Sequence, residues 1–352
     1  MKFKWSILSL LLVMIVSTAR LHAQDPQFSQ YYSAPLYLNP GFAGSTNQQR
    51  IVFNHRLQWP NLPQAFSTFS FSYEAYVDKL KSGFGVLATT DKMGSAGWRT
   101  TYAGLLYSYK VRLSKKWVFS PGIYFAYGTN GMDKSKLRLR DGLEIDGQSL
   151  DPDIDRLGSR AFFDFSSGAL FYNKNVWFGV SAYHLNQPNL SLFGEESRLN
   201  AKINIHGGAK IPLYNGPRMR ASKISYLTPS FVYRLQGDAQ QFDIGLQYHR
   251  DPIGVGVWYR GLPIQQVIKF EDSEAAVNQQ DALVFIVSLN LRDLQIGYSY
   301  DYTLSELSGA AGGAHEVSLV WEFMKRSVRP GLRRRTRLIP CPSFNTNSDL
   351  WN

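Results

Sequence analysis

The chain has little cysteine and lacks long apolar runs, and each shortage excludes a class of protein. Its 352 residues include one cysteine, Cys341. A single cysteine excludes an intramolecular disulfide framework and a cysteine-rich zinc site, so the open choices for Cys341 are an unpaired thiol, which we favour, or an intermolecular bond. After residue 23 no apolar run approaches the ~20 residues that a membrane helix needs.

The N-terminal residues have the composition of an export signal. Lys2 and Lys4 give a positive start, and residues 7–16 form an apolar run that is too short to span a bilayer. Residues 21–23 (Leu-His-Ala) then offer a cleavage site before Gln24. We therefore expect residues 1–23 to be a secretory signal peptide, and because no cysteine lies near the site, a lipoprotein is not expected.

Strict alternation of apolar and polar residues recurs along the rest of the chain. It is clearest in residues 69–74, 242–249, 294–300 and 317–323. A period of 2 indicates β-strands, since a helix with period 3.6 would not keep such residues on one face. A soluble all-β sandwich or propeller would also alternate, but aromatic residues are 14% of the chain and an export signal precedes it. Together these favour a transmembrane barrel.

We place fourteen strands, and the connections between them alternate in length. The predicted strands are 49–57, 67–76, 83–89, 98–110, 117–127, 161–172, 176–184, 202–212, 226–235, 241–249, 253–259, 282–290, 294–301 and 315–323. Connections after even-numbered strands are mostly short, and those after odd-numbered strands include 128–160, 185–201 and 260–281. Outer-membrane barrels have short periplasmic turns and long extracellular loops. The pattern predicts an all-β, antiparallel outer-membrane barrel of about 14 strands with both termini in the periplasm.

The barrel divides the chain into four parts. We expect a signal peptide in 1–23, an N-terminal periplasmic or plug segment in 24–48, the barrel in 49–323 and a basic tail in 324–352. The net charge of +11 is concentrated at the two ends, with seven Lys and Arg residues against one Asp after residue 323. Although basic runs often indicate nucleic acid, an exported barrel does not meet chromosomal DNA, so no nucleic-acid partner is expected.

Several short motifs resemble, in order, those of one family. They are residues 27–31 (Gln-Phe-Ser-Gln-Tyr), 38–44 (Leu-Asn-Pro-Gly-Phe-Ala-Gly), 56–60 (Arg-Leu-Gln-Trp-Pro), 164–168, 184–188 (His-Leu-Asn-Gln-Pro), 298–305, 312–316 (Gly-Gly-Ala-His-Glu) and 333–342. The mature chain therefore resembles the PorP/SprF family, membrane proteins of the type IX secretion and gliding apparatus of Bacteroidetes.

The resemblance implies a function that strand counting does not. It implies an outer-membrane barrel that binds secreted surface proteins, typically adhesins with a C-terminal sorting domain, and supports their export or attachment. The implied partners are that cargo, the type IX translocon, periplasmic lipoproteins and outer-membrane lipid. A second possibility is a passive transporter of hydrophobic or small solutes, because a 14-stranded barrel with an N-terminal plug also resembles the fatty-acid channel FadL.

The segment before the first strand is rich in aromatic residues. We expect it to enter the lumen as a plug, and the alternative is a periplasmic strap packed on a turn. Its prolines would keep it irregular, which is tolerated at membrane depth only where protein surrounds it. The candidate contact residues are Gln27, Phe28, Tyr31, Asn39, Pro40 and Phe42.

Strand parity places a second set of polar residues near the extracellular rim. The candidate rim or lumen cluster is His184, Asn186, Gln187, Asp301, His315 and Glu316. We expect these side chains to pair across the lumen. The histidines show no HExxH spacing and no nucleophile elbow is present, so no catalytic residue, metal or cofactor is expected.

Two further segments carry charge. The tail is either a solvated end or a periplasmic docking arm, for which the candidates are Arg333, Arg334, Arg335, Pro340, Cys341, Pro342 and Phe344. In the acidic loop, the spacing of Asp151, Asp153 and Asp155 is similar to a calcium loop. Arg156 and Phe162 stand where such a loop needs Gly and Glu, so a solvated or cargo-facing surface is favoured over a calcium site.

Overall fold

The computed structural model describes most of the chain between Asp25 and Phe323. The described residues are 25–46, 49–62, 65–94, 97–132, 158–192, 196–213, 225–261, 266–270, 273–277, 280–291, 293–304 and 312–323. The expected signal peptide, the acidic residues 151–155 and the basic tail 324–352 lie outside them.

Fourteen antiparallel strands form a closed barrel. They are β1 (Gln49–Gln58), β2 (Phe66–Val77), β3 (Ser82–Met93), β4 (Trp98–Tyr109), β5 (Val118–Gly131), β6 (Ser159–Tyr172), β7 (Val176–Tyr183), β8 (Lys202–Ala209), β9 (Tyr226–Gln236), β10 (Ala239–Arg250), β11 (Ile253–Gly261), β12 (Gln280–Leu291), β13 (Leu294–Thr303) and β14 (Ala314–Phe323). Each pairs with its sequence neighbours, and β1 also pairs with β14, from Gln49 opposite Phe323 to Gln58 opposite Ala314. The barrel therefore has no free edge, and the predicted fold is confirmed.

Side chains alternate between the two faces of the barrel wall. Along β1, Arg50, Asn54 and Arg56 are buried in the interior, whereas Phe53 on the outer face is 51% exposed. The outer face carries a broad set of exposed apolar side chains, which includes Phe69, Phe125, Phe163, Phe178, Val255, Phe285, Val287 and Trp321. A continuous apolar outer surface with a polar interior is the arrangement that a lipid-spanning barrel requires.

The connections define two different ends of the barrel. At one end lie the long connections 132–158, 184–201 and 262–279, and we call this the long-connection end. At the opposite end lie turns as short as 173–175 and 251–252, and we call this the short-turn end. No helix in the described ranges is both long and apolar enough to cross a membrane.

Three connections contain more strand structure than the sequence predicts. Between β4 and β5, Val111–Arg112 pairs with Val118 and Phe119. The connection 210–225 at the short-turn end is long, and within it Ile211–Pro212 pairs with Tyr226 and Leu227, which continues the hairpin beyond the wall. The predicted strand 202–212 is thus interrupted at Lys210. Within 262–279, Gln266–Phe270 pairs with Ser273–Val277 as a separate two-stranded hairpin.

Residues 25–46, which we call the lumenal segment, fill the inside of the barrel. The segment has three single helical turns, Tyr31–Ser33, Pro35–Leu38 and Pro40–Phe42. Two of them begin with Pro, which lacks the N–H that a first helical position would leave unpaired. Its apolar side chains pack in one cluster with inward-facing residues of the wall, including Leu87, Leu106, Tyr124, Leu170, Trp177, Val232, Trp258 and Ile286.

The lumenal segment runs from one end of the barrel to the other. Asp25 bonds to Lys202, the first residue of β8, at the long-connection end. Ser45 donates its backbone N–H to the side chain of Glu74, which lies near the C-terminal end of β2, at the short-turn end. The last described residue, Phe323, also lies at the short-turn end. The expectation that both termini lie on one side of the membrane is therefore wrong for the described ends, because the chain before β1 threads the lumen.

Candidate functional site

The N-terminal end of the lumenal segment is held by a buried ion pair. Asp25 Oδ2 accepts a hydrogen bond from Lys202 Nζ at 2.5 Å and lies 2.7 Å from His184 Nε2. His184 Nδ1 lies 3.0 Å from Asp164 Oδ1. Burial lowers the pKa of His184, but Asp25 and Asp164 outweigh burial and raise this pKa to about 9. The imidazole is therefore protonated near neutral pH and donates to both carboxylates.

A network of buried charges lies beside this anchor. Arg56 binds Asp301 at 2.7 Å and Glu316 at 3.4 Å. Arg260 binds the same Asp301 at 2.8 Å and Asp243 at 3.3 Å. These side chains come from β1, β10, β11, β13 and β14, which lie on one side of the barrel, around the pairing of β1 with β14. Buried charges are tolerated only when paired and hydrogen-bonded, and here the two guanidinium groups bridge three carboxylates.

The charge network binds the backbone of the lumenal segment. The Glu316 carboxylate accepts the backbone N–H of Ser29 at 2.7 Å and of Gln30 at 3.0 Å. Ser29 Oγ donates to Asp301 at 2.7 Å, and Ser318 Oγ donates to the Gln30 side chain at 2.7 Å. Two adjacent peptide N–H groups on one carboxylate fix the register of the segment against β14.

Asn39 is the corresponding anchor deeper in the lumen. Its Nδ2 donates to the carbonyl oxygens of Ala169 and Val180, both at 3.1 Å, and lies 3.1 Å from His206 Nε2. Its Oδ1 accepts the backbone N–H of Gly41 at 2.8 Å. The Asn39 side chain is fully buried, and both of its polar atoms have hydrogen-bond partners in the wall or in the segment itself.

Many hydrogen bonds between the wall and the lumenal segment are accepted by the backbone carbonyl oxygens of the segment. Polar side chains of the wall donate to these carbonyls as follows: Tyr183 to Leu36, Ser181 and Asn204 to Leu38, Lys110 and Ser120 to Gly41, and Ser108 to Ala43. Because irregular backbone at membrane depth has no water to satisfy it, these bonds are what permit the segment to lie there.

Glycines in the wall allow the backbone of the segment to approach closely. A Cβ at Gly122 would lie 2.5 Å from the carbonyl carbon and 2.6 Å from the oxygen of Pro40. At Gly83 it would collide with the backbone of Ala43. Any larger residue at these positions would displace the lumenal segment rather than a flexible side chain.

A cavity of about 470 Å³ opens at the long-connection end above Asp25, Pro26 and Gln27. We call it the mouth cavity. Its walls come from both sides of the β1–β14 seam and include Arg56, Gln58, Trp59, Phe66, Thr68, Asp91, Met93, Gln241, Arg260, Ala282, Asp301, Thr303, Gly313 and Ala314. Such a volume is within the range of small-ligand sites in proteins.

The six candidate plug residues all lie in the lumenal segment. They are Gln27 at the mouth cavity, then Phe28, Tyr31, Asn39, Pro40 and Phe42, of which the last five are buried. Tyr31 donates its hydroxyl to Ser230 at 2.6 Å and packs edge-on against Trp258. Phe42 stacks on His206. Their role as a plug stays a prediction.

The structure separates the six candidate rim residues into four groups. Asp301 and Glu316 join the charge network, whereas His184 belongs to the Asp25 anchor. His315 is on the outer face, where its Nδ1 lies 2.8 Å from Tyr298 Oη, so the expected lumen cluster is wrong for it. Asn186 and Gln187 are exposed, and Asn186 bonds to the backbone of β6. One residue of register separates His315 from Glu316, since alternate residues of a strand face opposite sides, whereas His184, Asn186 and Gln187 lie in the connection after β7.

The sequence prediction missed most residues that anchor the segment, among them the charged residues Asp25, Arg56, Lys202 and Arg260. The available signal was parity, since Arg56 shares an inward face with Asn54, Lys202 with Asn204, and Arg260 with Gly254, Gly256 and Trp258. In the described part of the chain, no group of three or more His, Cys, Asp or Glu side chains is placed to hold a metal ion. The possible calcium loop and the candidate tail residues lie outside it.

The model of the family described as type IX secretion system membrane protein PorP/SprF matches residues 21–321. No curated protein sequence matches the chain. Among solved structures, the Ralstonia pickettii toluene transporter TbuX is similar, with 9% identity, 83% of this chain and 93% of that chain covered, and a TM-score of 0.47. The P. putida toluene transporter TodX has 10% identity, coverage of 82% and 93%, and a TM-score of 0.44. BamA from Haemophilus ducreyi has 8% identity, coverage of 79% and 71%, and a TM-score of 0.41.

Proposed function

The chain belongs to the PorP/SprF family of type IX secretion system membrane proteins, and from this premise we propose that it binds a secreted cargo protein at the outer membrane. The cargo is a surface protein with a C-terminal sorting domain, and the barrel supports its export or its attachment at the surface. The family points to a component of the secretion apparatus rather than to an enzyme.

The filled lumen is the observation that supports binding at an end of the barrel. The lumenal segment touches strands all around the wall, from Glu74 on β2 through Ser181 on β7 and Ser230 on β9 to Glu316 on β14. A folded domain or an extended polypeptide would have to displace the whole segment in order to pass. The available binding surface is therefore an end of the barrel.

We place the long-connection end outside the cell, because outer-membrane barrels have long extracellular loops and short periplasmic turns. In this orientation the mouth cavity and the hairpin of Gln266–Phe270 and Ser273–Val277 face the cargo. Phe323 then lies at the periplasmic end, and the basic tail that follows it is our candidate contact for periplasmic lipoproteins of the type IX translocon. Cys341 in that tail is expected to be an unpaired thiol.

Passive transport of a solute is the competing function, and it differs from cargo binding in what the lumenal segment must do. A solute path would need the segment to move, with loss of the hydrogen bonds at Ser29, Gln30 and Asn39. The cargo-binding function needs no such movement. A test that leaves the segment intact and alters only one end of the barrel therefore separates the two functions.

The experiment is purification of the tagged barrel from its native host in mild detergent, with mass spectrometry of what accompanies it. We expect a large protein with a C-terminal sorting domain to co-purify, and to be lost when residues 266–277 are replaced by a Gly-Ser linker. The matched control replaces Lys115 and Lys116 at the short-turn end with serine, which should retain the cargo. A barrel that purifies alone and takes up labelled fatty acid would favour the transporter.

A further inference from the structure

Two cationic side chains lie next to each other on the outer face of the barrel wall. Lys92 on β3 is directly opposite Arg99 on β4, and both side chains are exposed. They share the outward parity of Val86 and Leu105, which are exposed apolar residues of the same two strands. We call Lys92 and Arg99 the cation pair. Like charges at directly opposite positions of a sheet repel each other, so the pair favours an anion beside it.

The described part of the chain supplies no anion to the cation pair. Neither Lys92 nor Arg99 forms a salt bridge with another described residue. The carboxylate nearest in sequence is that of Asp91, and it is buried on the opposite, lumenal face of β3. The two positive charges are therefore open to a ligand that approaches the outer face.

Hydroxyl groups surround the cation pair on the same face. Ser67 on β2 is opposite Lys92, and in the next outward row Thr90, Thr101 and Thr129 are opposite one another. Thr90 and Thr101 are hydrogen-bonded to each other, which leaves one of their two hydroxyl hydrogens available. A phosphate group has several acceptor oxygens, and a guanidinium group binds it through two parallel N–H bonds. The cations and hydroxyls together therefore suit a phosphate.

The cation pair lies at the level where lipid headgroups meet the barrel. Lys92 is the next-to-last residue of β3 and Arg99 is the second residue of β4, so both are at the long-connection rim. Toward the short-turn end the same face becomes apolar, with Val86, Leu105 and Phe125 exposed. Lysine and arginine at such a rim extend their charges to lipid phosphates while their aliphatic stems stay on apolar surface.

A furrow runs down the outer face from the cation pair. Ala88 on β3 is opposite Ala103 on β4, and each is four residues, or about 13 Å, from the cation of its own strand. Phe71 on β2 and Tyr127 on β5 flank the two alanines at the same level. Two methyl groups between two rings leave a depression two strands wide, which we call the alanine furrow. An acyl chain in it would contact the methyl groups and the flanking rings.

We propose that the cation pair and the alanine furrow together bind a phosphorylated lipid. Its phosphate is held by Lys92 and Arg99, and one of its acyl chains lies along Ala88 and Ala103. A free phosphate would leave the furrow unused, and a neutral lipid would leave the repulsion within the cation pair unrelieved. This site is separate from cargo binding, and only its assignment to the outer leaflet rests on the orientation proposed above.

The test uses the purified full chain in detergent micelles, with lipid binding measured by native mass spectrometry. The probes are dioleoyl phosphatidic acid and dioleoylglycerol, which differ only in the phosphate. We expect phosphatidic acid to bind about thirtyfold more tightly, as two cations near a lipid phosphate would give. The preference should disappear in the double variant Lys92→Gln, Arg99→Gln. It should persist in the control Lys115→Gln, Lys116→Gln, which removes two exposed cations at the short-turn end.

A second variant tests the furrow without changing any charge. Ala103→Leu fills the alanine furrow and should weaken phosphatidic acid binding about fourfold, as displacement of one methylene group from the wall would give. The control is Ala182→Leu on β7, at a position with the outward parity of the exposed Phe178, and it should bind like the wild type.

Three results would overturn the proposal. These are equal binding of the two lipids to the wild-type barrel, a phosphate preference that the Lys92 and Arg99 double variant retains, or unchanged binding of phosphatidic acid to Ala103→Leu. In the last case, displacement by an equal concentration of inorganic phosphate would assign the cation pair to a free anion. The comparison of lipids on the wild type does not depend on whether a variant folds. If cargo co-purifies while both lipids bind equally, this inference fails and the proposed function stands.

Discussion

The Asp25 carboxylate accepts a hydrogen bond from the Lys202 ammonium group, with 2.5 Å between Oδ2 and Nζ. This one contact fixes the N-terminal end of the lumenal segment at the long-connection end of the barrel. Since β1 begins at the opposite end, the residues between Asp25 and Gln49 must traverse the lumen. The filled lumen, and with it the argument for binding at an end of the barrel, follows from that path.

The Asp25 anchor should weaken at alkaline pH. The pKa of His184 is raised to about 9 by Asp25 and Asp164 despite burial, against 6.5 for an ordinary histidine. A raised pKa contributes stability that is complete below pH 6.5 and is lost as the pH rises through about 9. We expect His184→Gln to lower the melting temperature at pH 6 and to have little further effect at pH 9.5, measured by circular dichroism in micelles. A difference that stays constant across this range would contradict a charged His184.

Gly122→Ala should displace the lumenal segment and open the lumen. The added Cβ would meet the Pro40 backbone, which cannot move as a side chain can. We expect roughly 2 kcal/mol of destabilisation from overpacking and a higher single-channel conductance in planar bilayers. The control is Gly256→Ala, whose Cβ would meet only the Gln247 side chain at 3.2 and 3.4 Å and a carbonyl oxygen at 3.4 Å. If both variants conduct like the wild type, the segment does not control the lumen.

Arg56→Met should be strongly destabilising, since it leaves Asp301 and Glu316 with less positive charge beside them. Removing one partner from a buried ion pair costs roughly 3 kcal/mol or more. The double variant Arg56→Met, Glu316→Gln should recover part of the loss, because it also removes one buried negative charge, although the single glutamine oxygen can accept from only one of the Ser29 and Gln30 N–H groups. Urea unfolding in micelles measures the difference. Arg198→Met, at a side chain that is 60% exposed, is the matched control and should change little.

Asn39→Asp should loosen the segment at the centre of the barrel. The new carboxylate oxygen would face the carbonyls of Ala169 and Val180, both of which now accept from Asn39 Nδ2. We expect a loss of roughly 2 kcal/mol at pH 7, as for a buried polar group without its partner. Acidification to pH 4 should recover part of it, because a protonated carboxyl group donates again. Equal stability of the variant at both pH values would argue against this donor role.

The alternation of residues was sufficient to predict the wall. Phe69, Phe71 and Tyr73 face one side of β2, and Ser70, Ser72 and Glu74 face the other, as a period of 2 requires. The number of alternating segments predicted fourteen strands, and the short and long connections between them predicted an antiparallel outer-membrane barrel. Strand ends moved by a few residues, as at β3, which extends to Met93. The hairpin within 262–279 was not predicted, because the sequence analysis places a loop in this stretch.

The candidate site was predicted only in part. Parity placed Glu316 inside the barrel, yet the neighbouring His315 was assigned to the same cluster although it must face outward. Asp25 gave no sequence signal of its own, because its partners Lys202 and His184 lie more than 150 residues away along the chain.

The sequence by itself determined the local properties of this protein: strands with one apolar and one polar face, their number, and a family with a role in type IX secretion. Those properties depend on side-chain chemistry at fixed short spacings, which is readable along the chain. Only the tertiary structure decided that residues 25–46 fill the lumen from end to end and that Arg56, Asp91 and Asp301 share a cavity. Such contacts depend on the closure of β1 onto β14, which brings together residues that sequence distance keeps apart.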